Sequence, residues 1–377
     1  MSTVPRPSGR RATVIRVGLL LSLLYVFLLS IQVMGTAFKL MGSAHAEGLF
    51  SGLVTPFAGL SVGILATVLV QSSSMTTSLV VSAVGAGQLP LDVAVFAIMG
   101  CNIGTTITNT LVSLGHVRQD AEFRRAFAGS TMHDFFNIMA VLVFMPLEMA
   151  TGVLRKSATY LASNIYTDGG GGKFTSPIKA ITKPVAKMLK HFCTDTLDLG
   201  STWGGIAMLV LALVALVFAL LLITKIMKLL MMARMERSLN RVLEKSGLLG
   251  IVIGIALTVS VQSSSITTSL MVPLFAAGIL KLENGFPVTL GANIGTTVTA
   301  LLAALTTGVN GLTIALVHLL FNLSSTALIY PVPAVRRIPI RLAERLAELA
   351  VRNRFYAVFY VVGFFVIIPL VGNLIFR

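Results

Sequence analysis

Apolar residues in this 377-residue chain gather into long runs at 17–38, 126–147, 204–224, 312–330 and 355–376. Each approaches the roughly 20 residues that cross a hydrocarbon core, so each predicts a membrane-spanning helix. Two other stretches, 52–115 and 247–304, are apolar overall but are interrupted by clusters of Ser, Thr, Gln, Asn and Gly. These two are copies. Residues 67–108 match residues 258–299 at 23 of 42 positions, with a constant offset of 191 and no gap. The best-matched pieces are Gln71-Ser72-Ser73-Ser74 with Gln262-Ser263-Ser264-Ser265, and Asn102-Ile103-Gly104-Thr105-Thr106 with Asn293-Ile294-Gly295-Thr296-Thr297. The match resumes downstream at an offset of 185, where His133 and Asn137 correspond to His318 and Asn322.

Four consecutive residues sweep most of a helix circumference, so a regular membrane helix would turn part of each quartet toward lipid. A break in the helix removes the conflict by letting backbone and hydroxyl groups converge on a cavity. The pattern therefore predicts an all-α polytopic membrane protein. Two inverted-topology repeats would carry the quartets on broken helices or re-entrant hairpins. The expected organisation is a tail (1–16), a first half (17–154, repeat core 52–115), an extramembrane linker (155–202) and a second half (203–333, repeat core 247–304). An amphipathic segment (334–354) and a last span (355–377) follow.

Composition supports the bilayer, with 55% hydrophobic and 11% charged residues, against about 25% charged in soluble domains. The net charge of +15 does not indicate nucleic acid, because the basic residues flank spans instead of interleaving with aromatics. Arg6, Arg10, Arg11 and Arg16 precede the first span, Lys225 to Lys245 follow the third, and Arg336 to Arg354 precede the last. Under the positive-inside rule these flanks are cytoplasmic, which puts the N-terminus inside and the C-terminus outside. Within 336–354, Leu342, Leu346 and Leu349 mark the expected apolar face. The basic start, the apolar run and Ala44-His45-Ala46 also resemble a signal peptide, but the run exceeds the usual 7 to 15 residues, so an uncleaved span is expected. Two cysteines, Cys101 and Cys193, make neither a disulfide framework nor a metal site. No Walker-type loop is present, so ATP is not the expected energy source.

Helix N-termini, hydroxyls and amides suit an oxyanion, whereas released carbonyls and hydroxyl oxygens suit sodium. The oxyanion ligands would be Gln71, Ser72, Ser73, Ser74, Asn102, Thr105, Gln262, Ser263, Ser264, Ser265, Asn293 and Thr296. Ser73, Thr77, Ser264 and Thr268 offer hydroxyl oxygens of the kind that suits sodium, and Asn137 and Asp134 are further candidate site residues. Small residues also let membrane helices approach closely, and that reading is open for Gly104 and Gly295. Asp134, whose repeat-mate is Leu319, is either a functional acid or a structural partner of Arg124 or Arg125. The alternatives are a sodium-coupled transporter of another small oxyanion, an intramembrane hydrolase with a serine nucleophile and His133 or His318 as base, and an anion channel. Duplication of the whole constellation suits alternating access and serves no single nucleophile.

The paired quartets and Asn-Ile-Gly-Thr motifs resemble those of the type II sodium-dependent phosphate cotransporters. So do Arg124-Arg125-Ala126-Phe127-Ala128-Gly129 through His133-Asp134 to Pro146-Leu147-Glu148, and Tyr330-Pro331-Val332-Pro333 with the arginines after it. The resemblance implies symport of inorganic phosphate with sodium ions by an elevator-like movement, with no cofactor beyond the coupling ion. It also implies roles in sodium binding for Ser264, Thr268 and Asn137. Among similar proteins an acid at the Asp134 position goes with electrogenic transport. The short linker with Cys193 alone, and the absence of a further inside tail, resemble a compact bacterial form in the inner membrane.

Overall fold

A computed structural model describes residues 10–50, 55–167, 177–235 and 246–376. The glycine run at 169–172 and the basic residues Arg237, Arg241 and Lys245 lie outside the described residues. Every regular element among the described residues is helical. Among the described residues seven helices are long and apolar enough to cross a membrane: Val14–Met41, Leu91–His116, Asp120–Thr151, Gly200–Ile223, Leu282–Ala304, Val309–Ile329 and Phe355–Ile375. Five cover the runs read from sequence to within one residue. The other two are the long helices of the repeats, and they are the most buried of the seven.

The first half begins with α1 (Arg10–Phe50), which extends well beyond the apolar run at 17–38. Then come α2 (Pro56–Val70), α3 (Ser73–Ala86), α4 (Leu91–Gly104), α5 (Ile107–Ser113) and α6 (Asp120–Thr151). The segment expected as a linker is helical where described, as α7 (Val153–Thr167) and α8 (Pro177–His191). The Glu148 carboxylate accepts the Leu154 and Arg155 amides at 2.7 and 3.2 Å, satisfying free donors at the start of α7. That capping accounts for the acid after Pro146.

The second half contains α9 (Gly200–Met235), α10 (Gly247–Val261), α11 (Ser264–Ser269), α12 (Val272–Ala276), α13 (Leu282–Ala304) and α14 (Val309–Ile329). It continues into α15 (Pro333–Arg352) and the last span. The first spans of the two halves, α1 and α9, pack against each other at the periphery, while α3 packs against α13 and α14 in the interior. Both repeats close their leading helix onto their long helix in the same way. A Cβ on Gly63 would come within 2.1 Å of the Ala97 carbonyl oxygen, and one on Gly100 within 2.1 Å of that of Leu60. The mates repeat this contact, Gly254 at 2.2 Å from the Val288 oxygen and Gly291 at 2.0 Å from that of Ile251. Backbone thus lies directly on backbone, the small-residue packing by which membrane helices gain dispersion contacts. Gly104 and Gly295 belong to the same seam, since a Cβ on either would meet Thr67 or Thr258 at 2.8 Å.

Helix α15 corrects one detail of the amphipathic reading. Its protein-facing stripe is Ile340, Ala343, Ala347 and Ala350, which packs on α6, whereas Leu342 and Leu346 are half-buried and Leu349 is exposed. Alanine allows close approach to α6, and the leucines flank the contact.

Candidate functional site

Both quartets fall at a helix break of the same design. Helix α2 ends at Gln71, whose φ of 55° is left-handed, and α10 ends at Gln262 with the same φ. A non-glycine residue in this conformation is uncommon and needs local compensation. The side chains supply it. Gln71 Nε2 donates to the Val68 carbonyl and its Oε1 accepts from Thr108, at 2.6 and 3.1 Å. Gln262 binds the Val259 carbonyl and Thr299 in the same way, at 2.6 and 2.9 Å. Ser72 and Ser263 are extended and act as N-caps, each hydroxyl accepting the backbone N–H three residues on. Ser73 and Ser264 open the next helices, where the first amides have no intrahelical acceptor. Within the quartets, Ser73, Ser74, Ser264 and Ser265 are buried, whereas Gln71 is exposed.

The two breaks face each other. Ser74 Oγ donates to the Gln262 carbonyl at 3.3 Å, and Ser265 Oγ donates to the Thr105 carbonyl at 3.3 Å. Thr77 and Thr268 lie one turn into the following helices, with hydroxyls donating to Ser74 O at 3.3 Å and to Ser264 O at 2.8 Å. Each break therefore presents a serine-threonine wall to the other repeat.

The asparagine motifs build the layer behind this wall. In the first repeat the long helix breaks at Thr105-Thr106, and the Thr106 amide bonds the Ile103 carbonyl at 3.5 Å. The Asn102 carbonyl accepts Asn137 Nδ2 at 2.8 Å. In the second repeat α13 runs unbroken, yet the Asn293 carbonyl still accepts Asn322 Nδ2 at 3.2 Å. The Asn293 side chain closes the network, with Oδ1 accepting from His133 Nε2 and Nδ2 donating to Asn137 Oδ1, both at 2.7 Å. Asn102 Nδ2, by contrast, bonds its own helix at the Ile98 carbonyl, 3.3 Å away. Thr105 and Thr296 likewise donate back to Cys101 and Ala292, at 2.7 and 3.0 Å.

Asp134 lies apart from the quartets. It is fully buried; Oδ2 accepts from Tyr360 at 2.8 Å and from Thr110 at 3.5 Å, and Oδ1 has no hydrogen-bond partner among the described residues. Neither neighbouring arginine serves it. Arg125 Nε donates to the Ala276 carbonyl at 2.8 Å, and Arg124 lies 3.9 Å from Glu348. The structural-pair alternative for Asp134 is therefore replaced by a carboxylate held through hydroxyls.

Two residues escaped the sequence reading. Asn109 bridges the repeats, its Nδ2 donating to Thr268 Oγ1 at 2.6 Å and its Oδ1 accepting from Ser269 at 2.7 Å. Its repeat-mate is Ala300, so comparison of the copies drew attention away from it. Tyr360 stands in the last span, outside both repeats, where nothing local distinguishes it from other aromatic residues. The nucleophile arrangement finds no support, because His133 binds Asn293 and no hydrogen bond joins either buried histidine to a quartet serine among the described residues.

Residues 26–160 and 215–338 match the family described as Na+/Pi-cotransporter. The chain is 36% identical to sodium-dependent phosphate transport protein 2A of Ovis aries, over 96% of this chain and 68% of that one. It is 35% identical to protein 2B of Homo sapiens, over 94% of this chain and 64% of the relative. Protein 2A of Rattus norvegicus is also 35% identical, with 97% and 69% covered. The chain thus spans about two thirds of the length of these relatives. No solved structure matches it.

Proposed function

The chain belongs to the Na+/Pi-cotransporter family, and on that premise we propose that it carries inorganic phosphate across a membrane together with sodium, as a transporter and not an enzyme. The observation that carries this reading is the pair of left-handed breaks at Gln71 and Gln262, turned toward each other with Ser74 on the Gln262 carbonyl. Phosphate sits between the two N-terminal turns, contacted by the serines and the free amides of both quartets. Sodium takes hydroxyl and carbonyl oxygens nearby, at Ser73 and Thr77, at Ser264 and Thr268, and at Asn137. Adjacent ions of opposite sign offset much of the cost of desolvating each.

Three candidate spans, Leu91–His116, Asp120–Thr151 and Gly200–Ile223, separate the entrance of the first repeat from that of the second. An odd number of crossings inverts the second unit, as alternating access by paired repeats requires. The glycine seams make each repeat a stiff hairpin pair, which favours an elevator-like displacement over local unwinding. The seven candidate spans among the described residues, with the basic flanks, support an N-terminus in the cytoplasm and a C-terminus outside, and the membrane we propose is a bacterial plasma membrane. Asp134, with one oxygen lacking a hydrogen-bond partner among the described residues, supplies a carboxylate for an additional sodium. Divalent phosphate balances two sodium ions, so a third makes transport electrogenic.

The test is labelled phosphate uptake into proteoliposomes with sodium, potassium and proton gradients imposed in turn. Uptake should require the sodium gradient and proceed without ATP; equal uptake under potassium would refute the coupling. Stronger competition by sulfate than by phosphate would refute the substrate.

A further inference from the structure

A polar cavity lies away from the facing quartets. It has a volume of about 360 Å³, and its lining includes Glu283, Phe286, Tyr330, Arg336, Arg337 and Ile340. Gly247, also in the lining, begins α10, whose far end is Gln262. Fifteen residues at 1.5 Å each place the cavity roughly 22 Å from the quartet. Glu283 and Asn284 stand in the first turn of α13, and Tyr330 follows the last residue of α14. Both helices are candidate membrane spans, so the cavity sits where two spans end, at the level of lipid headgroups.

Its chemistry is mixed in an informative way. Arg336 stacks over the Tyr330 ring at 5.4 Å, which fixes the guanidinium at the rim, and Arg337 beside it is exposed. Neither arginine, nor Glu283, is in a salt bridge among the described residues. Phe286, Pro287 and Ile340 add an apolar wall. A guanidinium pair matches phosphate oxygens. A carboxylate across the same cavity is unfavourable for a lone anion but suits a ligand that also bears an ammonium group. The cavity is also several times larger than a phosphate ion.

We infer that this cavity binds the headgroup of a zwitterionic phospholipid, its phosphodiester on Arg336 and Arg337, its ammonium toward Glu283 and its glycerol against Phe286 and Ile340. The inference concerns a lipid site and stands whether or not the quartets carry phosphate. A bound headgroup would join the α10–α13 pair of the second repeat to α15, which packs on α6.

The experiment is native mass spectrometry of the full chain, delipidated in detergent and titrated with phosphatidylethanolamine, phosphatidylglycerol or a neutral diacylglycerol. Wild type should retain phosphatidylethanolamine best and diacylglycerol least. Combined Arg336→Gln and Arg337→Gln should weaken retention of both phospholipids by about tenfold or more, the usual consequence of losing hydrogen bonds to a charged group. Glu283→Gln should abolish only the preference for ethanolamine over glycerol. Because these residues line a rim, each variant should elute as wild type; Tyr330→Phe, which keeps the ring under Arg336, should bind normally and serves as a folding control. Equal retention by wild type and the double arginine variant would overturn the site. Displacement of the lipid by millimolar inorganic phosphate would assign the cavity to the free ion instead.

Discussion

Asn109→Ala removes the one side chain that hydrogen-bonds Thr268 and Ser269 from the opposite repeat. Asn109 lies within helix α5, and alanine is a strong helix former, so the substitution leaves the local backbone unstrained. The substitution deletes a buried bond of 2.6 Å and a partly buried one of 2.7 Å. Hydrogen bonds between membrane helices average about 0.6 kcal/mol and reach about 1.7, so the pair contributes roughly 1 to 3 kcal/mol. Thr268 keeps its bond to Ser264 O, so the loss falls on its anchoring across the interface and on Ser269, which loses its acceptor. If Thr268 is a sodium ligand, freeing it raises the sodium concentration for half-maximal uptake about fivefold or more, since 1.4 kcal/mol is tenfold. The assay is a sodium titration of labelled phosphate uptake in proteoliposomes, paired with thermal unfolding in detergent. A sodium dependence within twofold of wild type, with an unchanged unfolding temperature, would refute the bridge as a determinant of sodium binding.

Ser73→Ala and Ser264→Ala should each lower phosphate affinity about tenfold or more while leaving insertion intact, because each removes a hydroxyl beside a charged ligand; normal kinetics in both would reduce the quartets to packing. Gly100→Ala and Gly291→Ala should destabilise the protein by at least about 1 to 3 kcal/mol, since each new Cβ would sit 2.1 or 2.0 Å from a carbonyl oxygen, and an unaltered unfolding temperature in either would contradict the seam. Asp134→Gly should abolish phosphate-coupled current while retaining some uptake. In wild type, one net charge crossing 100 mV is worth about 2.3 kcal/mol, so voltage-insensitive wild-type uptake, or full current in the variant, would remove Asp134 from the sodium path. Cysteines placed at Asp195 and Glu348, both exposed, should react with impermeant reagent from opposite sides of the membrane, and labelling from one side would refute the proposed orientation.

The sequence by itself determined what depends on local chemistry and on the comparison of its own two copies. Apolar runs near span length located five membrane helices, because a lipid-facing helix must be apolar along its whole length. The quartets announced their own breaks, since Gln-Ser-Ser-Ser cannot be hidden on a continuous helix, and Gln71 and Gln262 are left-handed where that reasoning put them. The glycines of the repeats were visible but ambiguous. Only the packed helices show that Gly63, Gly100, Gly254 and Gly291 mark backbone-on-backbone contact. Partners across the repeat interface belong wholly to the tertiary structure. Asn109 meets Thr268 from 159 positions away, Tyr360 meets Asp134 from 226, and Asn293 is shared between His133 and Asn137. For Asn109 and Asp134 the duplication gave no guide to the partner, because their mates are Ala300 and Leu319; it did mark Asn293, His133 and Asn137, but Asn102 turns to its own helix and does not repeat their contact. A repeated sequence records what both halves must do alone, whereas a site between them depends on how two similar surfaces meet.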